Sequence, residues 1–137
     1  MEKKTLHVVC LVMRDQEGFI FAAQRPPGKK LGLHWEFPGG KVEPGEHPES
    51  ALRREISEEL LWNVGELERL PDVEHEYDFG KVCLIPFLHY CKKRPNVTLT
   101  EHLDSRWVHH SALEDYTWAP ADIPIIGYLL DFGCAYE

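Results

Sequence analysis

The chain has 137 residues, of which 43% are apolar and 11% aromatic. This length gives one domain with a sizeable core and leaves too little chain for a second one, so we expect residues 1–137 to form a single domain. The formal net charge of −8 argues against a stable nucleic-acid complex, because proteins that bind DNA or RNA carry a basic surface that displaces phosphate counterions.

The sequence also gives no sign of export or of a membrane span. The first four residues are followed by only a short strand-like run, and no stretch approaches the ~20 apolar residues of a membrane helix. The cysteines lack CxxC spacing, which favours buried free thiols over a zinc site or a disulfide framework; they are Cys10, Cys83, Cys91 and Cys134. We expect a cytoplasmic protein that is a monomer or a small homo-oligomer.

The first part of the chain is predicted to contain three strands and a loop. Leu6–Met13 and Phe19–Gln24 are strand-like runs, and the polar residues and glycine between them indicate a hairpin. The prolines, glycines and charges of Arg25–Gly32 are typical of a surface loop. Trp35–Phe37 is predicted to form a short strand that leads into a turn at residues 38–40.

A helix is predicted from Pro48 to about Trp62. Pro48 suits the first turn, where a missing N–H costs nothing, and Glu49 favours the positive end of the helix. The remaining elements are a second hairpin around Gly80, a short strand and a closing helix, and their predicted ranges are Val73–Phe79, Lys81–Cys91, Ser105–His109 and Ile123–Phe132. Strands with one central and one terminal helix indicate an α+β sandwich.

Three glutamates, Glu55, Glu58 and Glu59, share one face of the predicted central helix. Like charges three and four residues apart are each unfavourable by roughly 0.2–0.5 kcal/mol, and Arg54 can offset only part of this charge. Most glutamate-rich helix faces are simply solvated. Here the carboxylates border the apolar line that must face the core, which consists of Leu52, Ile56 and Leu60. Half-buried carboxylates in this number favour a site for a hard divalent cation.

The spacing around this helix resembles the signature of the Nudix hydrolase family. The pattern is glycine, five residues, glutamate, seven residues, arginine-glutamate-aliphatic, one residue, glutamate-glutamate, and it is met by Gly40, Glu46, Arg54, Glu55, Ile56, Glu58 and Glu59. The resemblance implies an α/β/α sandwich with a mixed central sheet, one catalytic helix and a C-terminal helix. Leu61 departs from the pattern, because the family usually has a helix-ending glycine there; Asn63 or Gly65 would then be the substitute stop.

The same resemblance implies a metal site and a reaction. The metal cluster would consist of the Gly39 carbonyl and the carboxylates of Glu55, Glu58, Glu59 and Glu101, with Arg54 orienting a glutamate. Mg²⁺ or Mn²⁺ would neutralise the phosphate oxygens, orient a water in line and stabilise the leaving pyrophosphate. Either Glu55 or Glu101 could be the general base, since both assignments need only a carboxylate within one water of the metal.

Two further segments, residues 24–43 and 119–124, resemble the MutT-type branch of this family. Members of that branch hydrolyse nucleoside triphosphates, including oxidised guanine nucleotides such as 8-oxo-dGTP, which protects DNA, and in some cases cytidine nucleotides. The resemblance implies substrate-binding roles for Arg25, Glu36 and Asp122. From the residues alone, Asp122 could instead be the N-cap of the final helix. The eight histidines show no metal-ligand spacing, and we assign them no role.

Two other functions stay open at this point. An ionised Asp122 could accept hydrogen bonds from the cytosine amino group or from the N1–H and N2–H edge of guanine, so a CTP or dCTP pyrophosphohydrolase is one alternative. A non-catalytic, base-sensing Nudix module is the alternative from another class. Such modules lose acidic residues of the signature, whereas this chain keeps all of them.

Overall fold

The computed structural model of the protein describes residues 4–131, with the side chains of residues 5–130. The elements in chain order are β1 (Lys4–Asp15), β2 (Phe19–Gln24), β3 (Trp35–Glu36), β4 (Gly39–Lys41), α1 (Pro48–Leu60), β5 (Glu68–Arg69), β6 (Val73–Tyr77), β7 (Gly80–Cys91), β8 (Asp104–His109), 3₁₀ helices at His110–Asp115 and Pro120–Asp122, and α2 (Ile123–Asp131). The predicted α+β class is confirmed.

The centre of the mixed sheet is a long parallel pair between β1 and β7. Lys4 lies opposite Gly80, and the ladder continues without a break until Asp15 lies opposite Cys91. Every other pairing in the sheet is antiparallel: β2 and β4 pair with β1, β3 and β8 with β2, and β5 and β6 with β7. The predicted mixed sheet is therefore correct.

The two α-helices cover opposite faces of this sheet. Successive side chains of a strand point to opposite faces, and β1 divides its buried residues accordingly. Val9, Leu11 and Met13 pack in the cluster that contains the buried face of α1, namely Ala51, Leu52, Ile56 and Leu60. Cys10 and Val12 pack in the cluster that contains the buried residues of α2, namely Ile125, Ile126 and Leu129. Helix, sheet and helix form the three layers of the predicted sandwich.

The largest difference from the sequence prediction is at residues 38–40, for which we predicted a turn. Gly39–Lys41 is instead strand β4, with Gly39 opposite Cys10. Only glycine fits at this position, because a Cβ on Gly39 would collide with the backbone of Val9 and Cys10.

Strands β1 and β7 are longer than predicted because they stabilise each other. Strand β5 has only two residues, which is too short for a periodic signal.

The buried thiols are as predicted where the structure describes them. Cys10, Cys83 and Cys91 are buried and free, whereas Cys134 and the predicted helix end at Phe132 lie outside the described residues. No helix within residues 4–131 is long and apolar enough to cross a membrane.

Helix α1 ends at Leu60, and Leu61 itself adopts the left-handed conformation, with φ 51° and ψ 44°. The prediction that Asn63 or Gly65 would end the helix is therefore wrong. The Leu61 N–H donates to the Ser57 carbonyl at 3.1 Å, which satisfies one of the free carbonyls at the helix end. The Leu61 side chain is 61% exposed, so burial of this leucine does little to offset the strain.

Replacing Leu61 by glycine should raise the free energy of unfolding by about 1 kcal/mol. A left-handed conformation costs a residue with a Cβ roughly 1–2 kcal/mol, and the greater freedom of glycine in the unfolded chain cancels part of the gain. Urea unfolding of Leu61→Gly beside Leu61→Ala measures this, because alanine keeps the Cβ and should bring no such gain. Equal stability of the two variants would contradict the explanation.

Candidate active site

The acidic residues of α1 are organised by one arginine, Arg54. Its Nε and Nη2 donate to the two carboxylate oxygens of Glu46, at 2.9 and 3.0 Å, and its Nη1 donates to Glu55 at 2.8 Å and to Glu58 at 2.9 Å. These hydrogen bonds, of which the pair donated to Glu46 has the largest effect, raise the pKa of Arg54 further above its ordinary value. In return, the guanidinium lowers the pKa of Glu46. Arg54 thus holds three glutamates, and its role in orienting a catalytic glutamate stays a prediction.

Glu59 is the most deeply placed member of the cluster. Its side chain is 5% exposed, whereas that of Glu58 is 56% exposed. Burial, followed by the hydrogen bond and the charge of Glu55, raises the pKa of Glu59 far above its ordinary value. Burial beside Glu55 thus favours the protonated form of Glu59. Arg54 forms ion pairs with Glu46, Glu55 and Glu58, so its positive charge is directed to the more exposed members of the cluster.

Glu101 and Gly39 meet Glu59 in a small cleft beside the helix. The cleft has a volume of about 80 Å³ and is lined by Arg25, Pro26, Lys29, Glu36, Gly39, Glu59, Glu101 and His102. The charge of Glu101 contributes to the raised pKa of Glu59, which places the two carboxylates within electrostatic reach of each other. Residues that the sequence predicted for one site, from β4, α1 and the loop before β8, therefore line the same cleft.

These residues fit a hard cation by the chemistry of their donors. They offer carboxylate and carbonyl oxygens, which Mg²⁺ and Mn²⁺ prefer, and a half-buried negative charge that a cation would neutralise. Within residues 4–131, no three Asp, Glu, His or Cys side chains already converge on a single point. Like charges repel in the absence of a cation, and Glu55 and Glu58 instead hydrogen-bond to Arg54.

A larger, mostly apolar cavity of about 560 Å³ lies on the other side of Glu36. Its wall is formed by β1, β4, β6, β7 and the segment before α2, and includes Val8, Cys10, Phe37, Tyr77, Phe79, Val82, Leu84 and Ala121. Tyr77 and Phe79 stack with their ring centroids 5.3 Å apart, and the Lys30 ammonium lies 4.6 Å from the Phe79 ring centroid. A flat aromatic ligand suits a cavity of this size and composition.

Asp122 is a buried polar group in the wall of this cavity. It is 5% exposed, and its carboxyl group accepts a hydrogen bond from the backbone N–H of Phe37. Burial, followed by the charge of Glu36, raises the pKa of Asp122 well above its ordinary value. Burial thus favours the protonated form of Asp122, which can donate as well as accept a hydrogen bond. Its bond to Phe37 directs the carboxyl group to the residue that follows β3.

Glu36 connects the two cavities, since it lines both. Its Oε1 accepts a hydrogen bond from the Arg25 guanidinium at 3.2 Å, and its Oε2 lies 2.9 Å from Nε2 of His102. Arg25 is further held by the carbonyl of Lys30, which accepts from its Nε at 2.7 Å. All three residues with predicted substrate roles, Arg25, Glu36 and Asp122, therefore lie in the wall of the larger cavity.

His102 belongs to the site although no role was predicted for it. Its side chain is 5% exposed and lies between Glu36 and Glu59, with Nδ1 3.9 Å from Oε1 of Glu59. Metal-ligand spacing in sequence could not reveal it, because its neighbours come from β3 and α1. The only feature of the sequence that could have indicated a role for His102 in the site is its position directly after Glu101.

Comparison with known proteins gives a consistent result. The model of the NUDIX domain matches residues 3–129. An 8-oxo-dGTP diphosphatase of Haemophilus influenzae is 32% identical over 96% of each chain, and one of Proteus vulgaris is 42% identical over 64% of this chain and 79% of the relative. A CTP pyrophosphohydrolase of Escherichia coli is 32% identical over 90% of each chain.

Solved structures give the same result. The solution structure of the Escherichia coli ORF135 protein superposes with a TM-score of 0.82 at 29% identity, covering 98% of this chain and 95% of that one. The solution structure of the MutT protein of methicillin-resistant Staphylococcus aureus superposes with a TM-score of 0.71 at 39% identity, covering 94% of this chain and 98% of that one.

The raised pKa of Asp122 predicts a pH-dependent effect of Asp122→Asn on stability. Above the ordinary aspartate pKa, the folded wild type retains a proton that the unfolded chain loses, so its free energy of unfolding falls as the pH rises toward the folded pKa. Asparagine does not titrate. The stability of Asp122→Asn relative to wild type should therefore increase from pH 4.5 to 7.5, by at most about 1.4 kcal/mol per pH unit.

Urea unfolding across this pH range tests the prediction, with the exposed Asp115→Asn as the matched control. The control should show no comparable trend. If Asp122 were an ionised helix cap with a lowered pKa, its titration would lie below this range, and the stability difference from Asp122→Asn would stay constant from pH 4.5 to 7.5.

Proposed function

The chain belongs to the NUDIX domain family, and on that premise we propose a metal-dependent pyrophosphohydrolase that acts on 8-oxo-dGTP and releases the nucleoside monophosphate and pyrophosphate. Hydrolysis of nucleoside triphosphates is the activity named for its relatives along nearly the whole chain. One observation carries the proposal for the site: the carboxylate cluster and the apolar cavity meet at Glu36. A nucleotide has the matching division into a charged phosphate chain and a flat base.

The phosphate end of the substrate is assigned to the small cleft. Glu55, Glu58, Glu59, Glu101 and the Gly39 carbonyl would hold Mg²⁺ or Mn²⁺, which neutralises phosphate oxygens and activates water for in-line attack. Arg25 and Lys29 line the same cleft and provide positive charge for the remaining phosphate oxygens.

The protein residues then have separate tasks. Arg54 keeps Glu55 and Glu58 at fixed positions, so that little reorganisation is needed when the substrate binds. Glu59 must lose its proton to become a ligand, and the cation makes this favourable. The general base is Glu55 or Glu101. Both lie next to Glu59, and the geometry of the free protein favours neither.

The base end of the substrate is assigned to the larger cavity, with Asp122 as the polar group that reads the base. The raised pKa of its carboxyl group favours the protonated form, which can donate to an acceptor edge, whereas the ionised form accepts from a donor edge. Arg25 and Glu36 close this end of the cavity through their ion pair. Tyr77 and Phe79 provide apolar surface for the ring.

A second candidate substrate is CTP or dCTP. The Escherichia coli CTP pyrophosphohydrolase matches this chain as well as the Haemophilus influenzae 8-oxo-dGTP diphosphatase does, at 32% identity. Asp122 can accept from the cytosine amino group as readily as from guanine. The non-catalytic base-sensing module has less support, because every acidic residue of the signature is present and Arg54 holds Glu46, Glu55 and Glu58 in place.

The proposal includes the setting in which the enzyme works. Removing an oxidised nucleotide from the precursor pool prevents its use in DNA synthesis, so we place the protein in the cytoplasm as a monomer or small homo-oligomer. A free nucleotide that binds through a metal needs no basic surface, which agrees with the net charge of −8.

Activity should depend strictly on a divalent cation and should fall by about a hundredfold or more in Glu58→Gln and Glu59→Gln. Each change removes a metal-binding charge at nearly constant volume. Metal-free Glu59→Gln should be as stable as the wild type or more so, because a buried group that resists ionisation has been replaced by a neutral one.

The measurement is pyrophosphate release with and without chelator, with Glu49→Gln as the matched control. Glu49 is an exposed glutamate of the same helix, paired with Arg53, and its replacement should preserve activity. Hydrolysis that continues undiminished in chelator would refute the metal-dependent mechanism.

Asp122→Asn should lower kcat/KM for the preferred nucleotide by about tenfold to a hundredfold. Asparagine cannot ionise and offers the base one acceptor fewer, and mispairing one buried polar group costs about 1–3 kcal/mol. A poor substrate with a different edge should change much less. The assay compares 8-oxo-dGTP, dGTP, CTP and dCTP on wild type, Asp122→Asn and Asp115→Asn, and scores pyrophosphate against phosphate.

The panel also decides between the two candidate substrates, since the preferred base is the one with the highest kcat/KM in the wild type. An equal response of all four nucleotides to Asp122→Asn would exclude Asp122 as the base reader and turn attention to the Arg25 loop.

A further inference from the structure

His102 is placed between the two ends of the site by hydrogen bonds on both sides of its loop. Thr100 caps the end of α1, with its Oγ1 donating to the Glu58 carbonyl at 2.9 Å and its N–H donating to the Glu59 carbonyl at 3.1 Å. On the other side, the Leu103 N–H donates to the Gln24 carbonyl at 2.9 Å. The imidazole is thereby fixed between α1 and β3.

The partners of His102 determine which ring nitrogen carries the proton. Nε2 lies 2.9 Å from Oε2 of Glu36, whose other oxygen accepts from Arg25. A carboxylate in an ion pair is an acceptor, so Nε2–H donates to it. In the neutral ring Nδ1 is then left with a lone pair and can only accept a hydrogen bond.

Among the residues that the structure describes, this Nδ1 finds no hydrogen-bond partner although it is buried. Buried polar atoms without a partner are rare in proteins and indicate a missing water or ion. Oε1 of Glu59 lies 3.9 Å from this nitrogen, which is too far for a hydrogen bond. The two groups share the small cleft of about 80 Å³, which has room for a cation together with part of its hydration shell.

We propose that His102 is a positioning residue of the cation site, whose Nδ1 accepts a hydrogen bond from water in the hydration shell of the cation while its Nε2–H holds Glu36. The inference rests on the proposed function, since it requires the cation that Glu59 and its neighbours would bind. Mg²⁺ keeps several waters when it binds to proteins, and each is a strong hydrogen-bond donor. A neutral acceptor at the cleft wall is the partner that such a water needs.

The same arrangement connects the cation to the base cavity. Glu36 lines both cavities and its charge acts on both Glu59 and Asp122. His102 therefore has two partners. Its Nε2–H holds Glu36, the carboxylate that borders the base cavity, and its Nδ1 holds a water of the cation that would bind the phosphates. Loss of one nitrogen should affect one end of the site and spare the other.

Two substitutions separate the nitrogens. In His102→Gln, the amide nitrogen lies near the position of Nε2 and can still donate to Glu36, but the acceptor facing the cleft is lost. In His102→Asn, the shorter side chain keeps an oxygen near the position of Nδ1 and loses the bond to Glu36. The probe is Mn²⁺ binding to the substrate-free protein, followed by electron paramagnetic resonance, with Mg²⁺ as competitor.

We expect His102→Gln to bind Mn²⁺ and Mg²⁺ about tenfold more weakly than wild type, as is typical when an outer-shell partner of a metal is removed. Its kcat should fall with KM for the nucleotide changed less than about twofold. His102→Asn should keep metal affinity within about threefold of wild type and raise KM instead. Both metal-free variants should keep a cooperative thermal transition.

Three results would overturn the proposal. The first is wild-type metal affinity in His102→Gln, and the second is an equal loss of metal affinity in both variants, which would indicate a general structural effect. The third is failure of both variants to fold. If the wild type itself binds no Mn²⁺ and hydrolyses no nucleotide, the proposed function fails, and this inference fails with it.

Discussion

The site depends on how one guanidinium distributes its hydrogen bonds among crowded carboxylates. Arg54 contacts Glu46, Glu55 and Glu58, and its Nη2 also donates to the Lys41 carbonyl at 3.1 Å. Because the guanidinium is planar and carries five donors, it can hold several acceptors at fixed angles, which a lysine ammonium cannot do. The arginine thus joins the glycine-rich segment to α1 and leaves Glu59 as the acid that it does not neutralise.

The backbone around this arginine is shaped by close approach. Strand β4 runs so near α1 that a Cβ on Gly40 would collide with the carboxylate of Glu55. The neighbouring Gly39 lies equally close to β1, so the two glycines let β4, a strand of the sheet, approach both β1 and the acidic face of α1. Apolar packing of α1 against β1 then fixes the distance between them. The packing of the core therefore also fixes the geometry of the site.

Much of the fold and of the site could be predicted from sequence, for reasons that are local. Helix α1 has a clear start at Pro48 and a regular apolar face, and the spacing of its glutamates is visible in the chain. What could not be predicted depends on tertiary contacts. The burial of Glu59 beside the exposed Glu58, the position of His102 and the strand at Gly39 arise only when β1, β3 and α1 come together. Leu61 likewise takes a strained conformation that its residue type opposes.

The parallel ladder of β1 and β7 has a consequence for the order of folding. It joins Lys4 to Gly80 and Asp15 to Cys91, so it can form only after the whole segment from β2 to β6 has been closed into a loop. Closing such a loop costs chain entropy before the contacts compensate, and structures rich in such pairings fold slowly. Helix α1, with its glutamates, lies inside that loop. Its glutamates come together as soon as the helix forms, so their mutual repulsion opposes the helix before the central strands have joined.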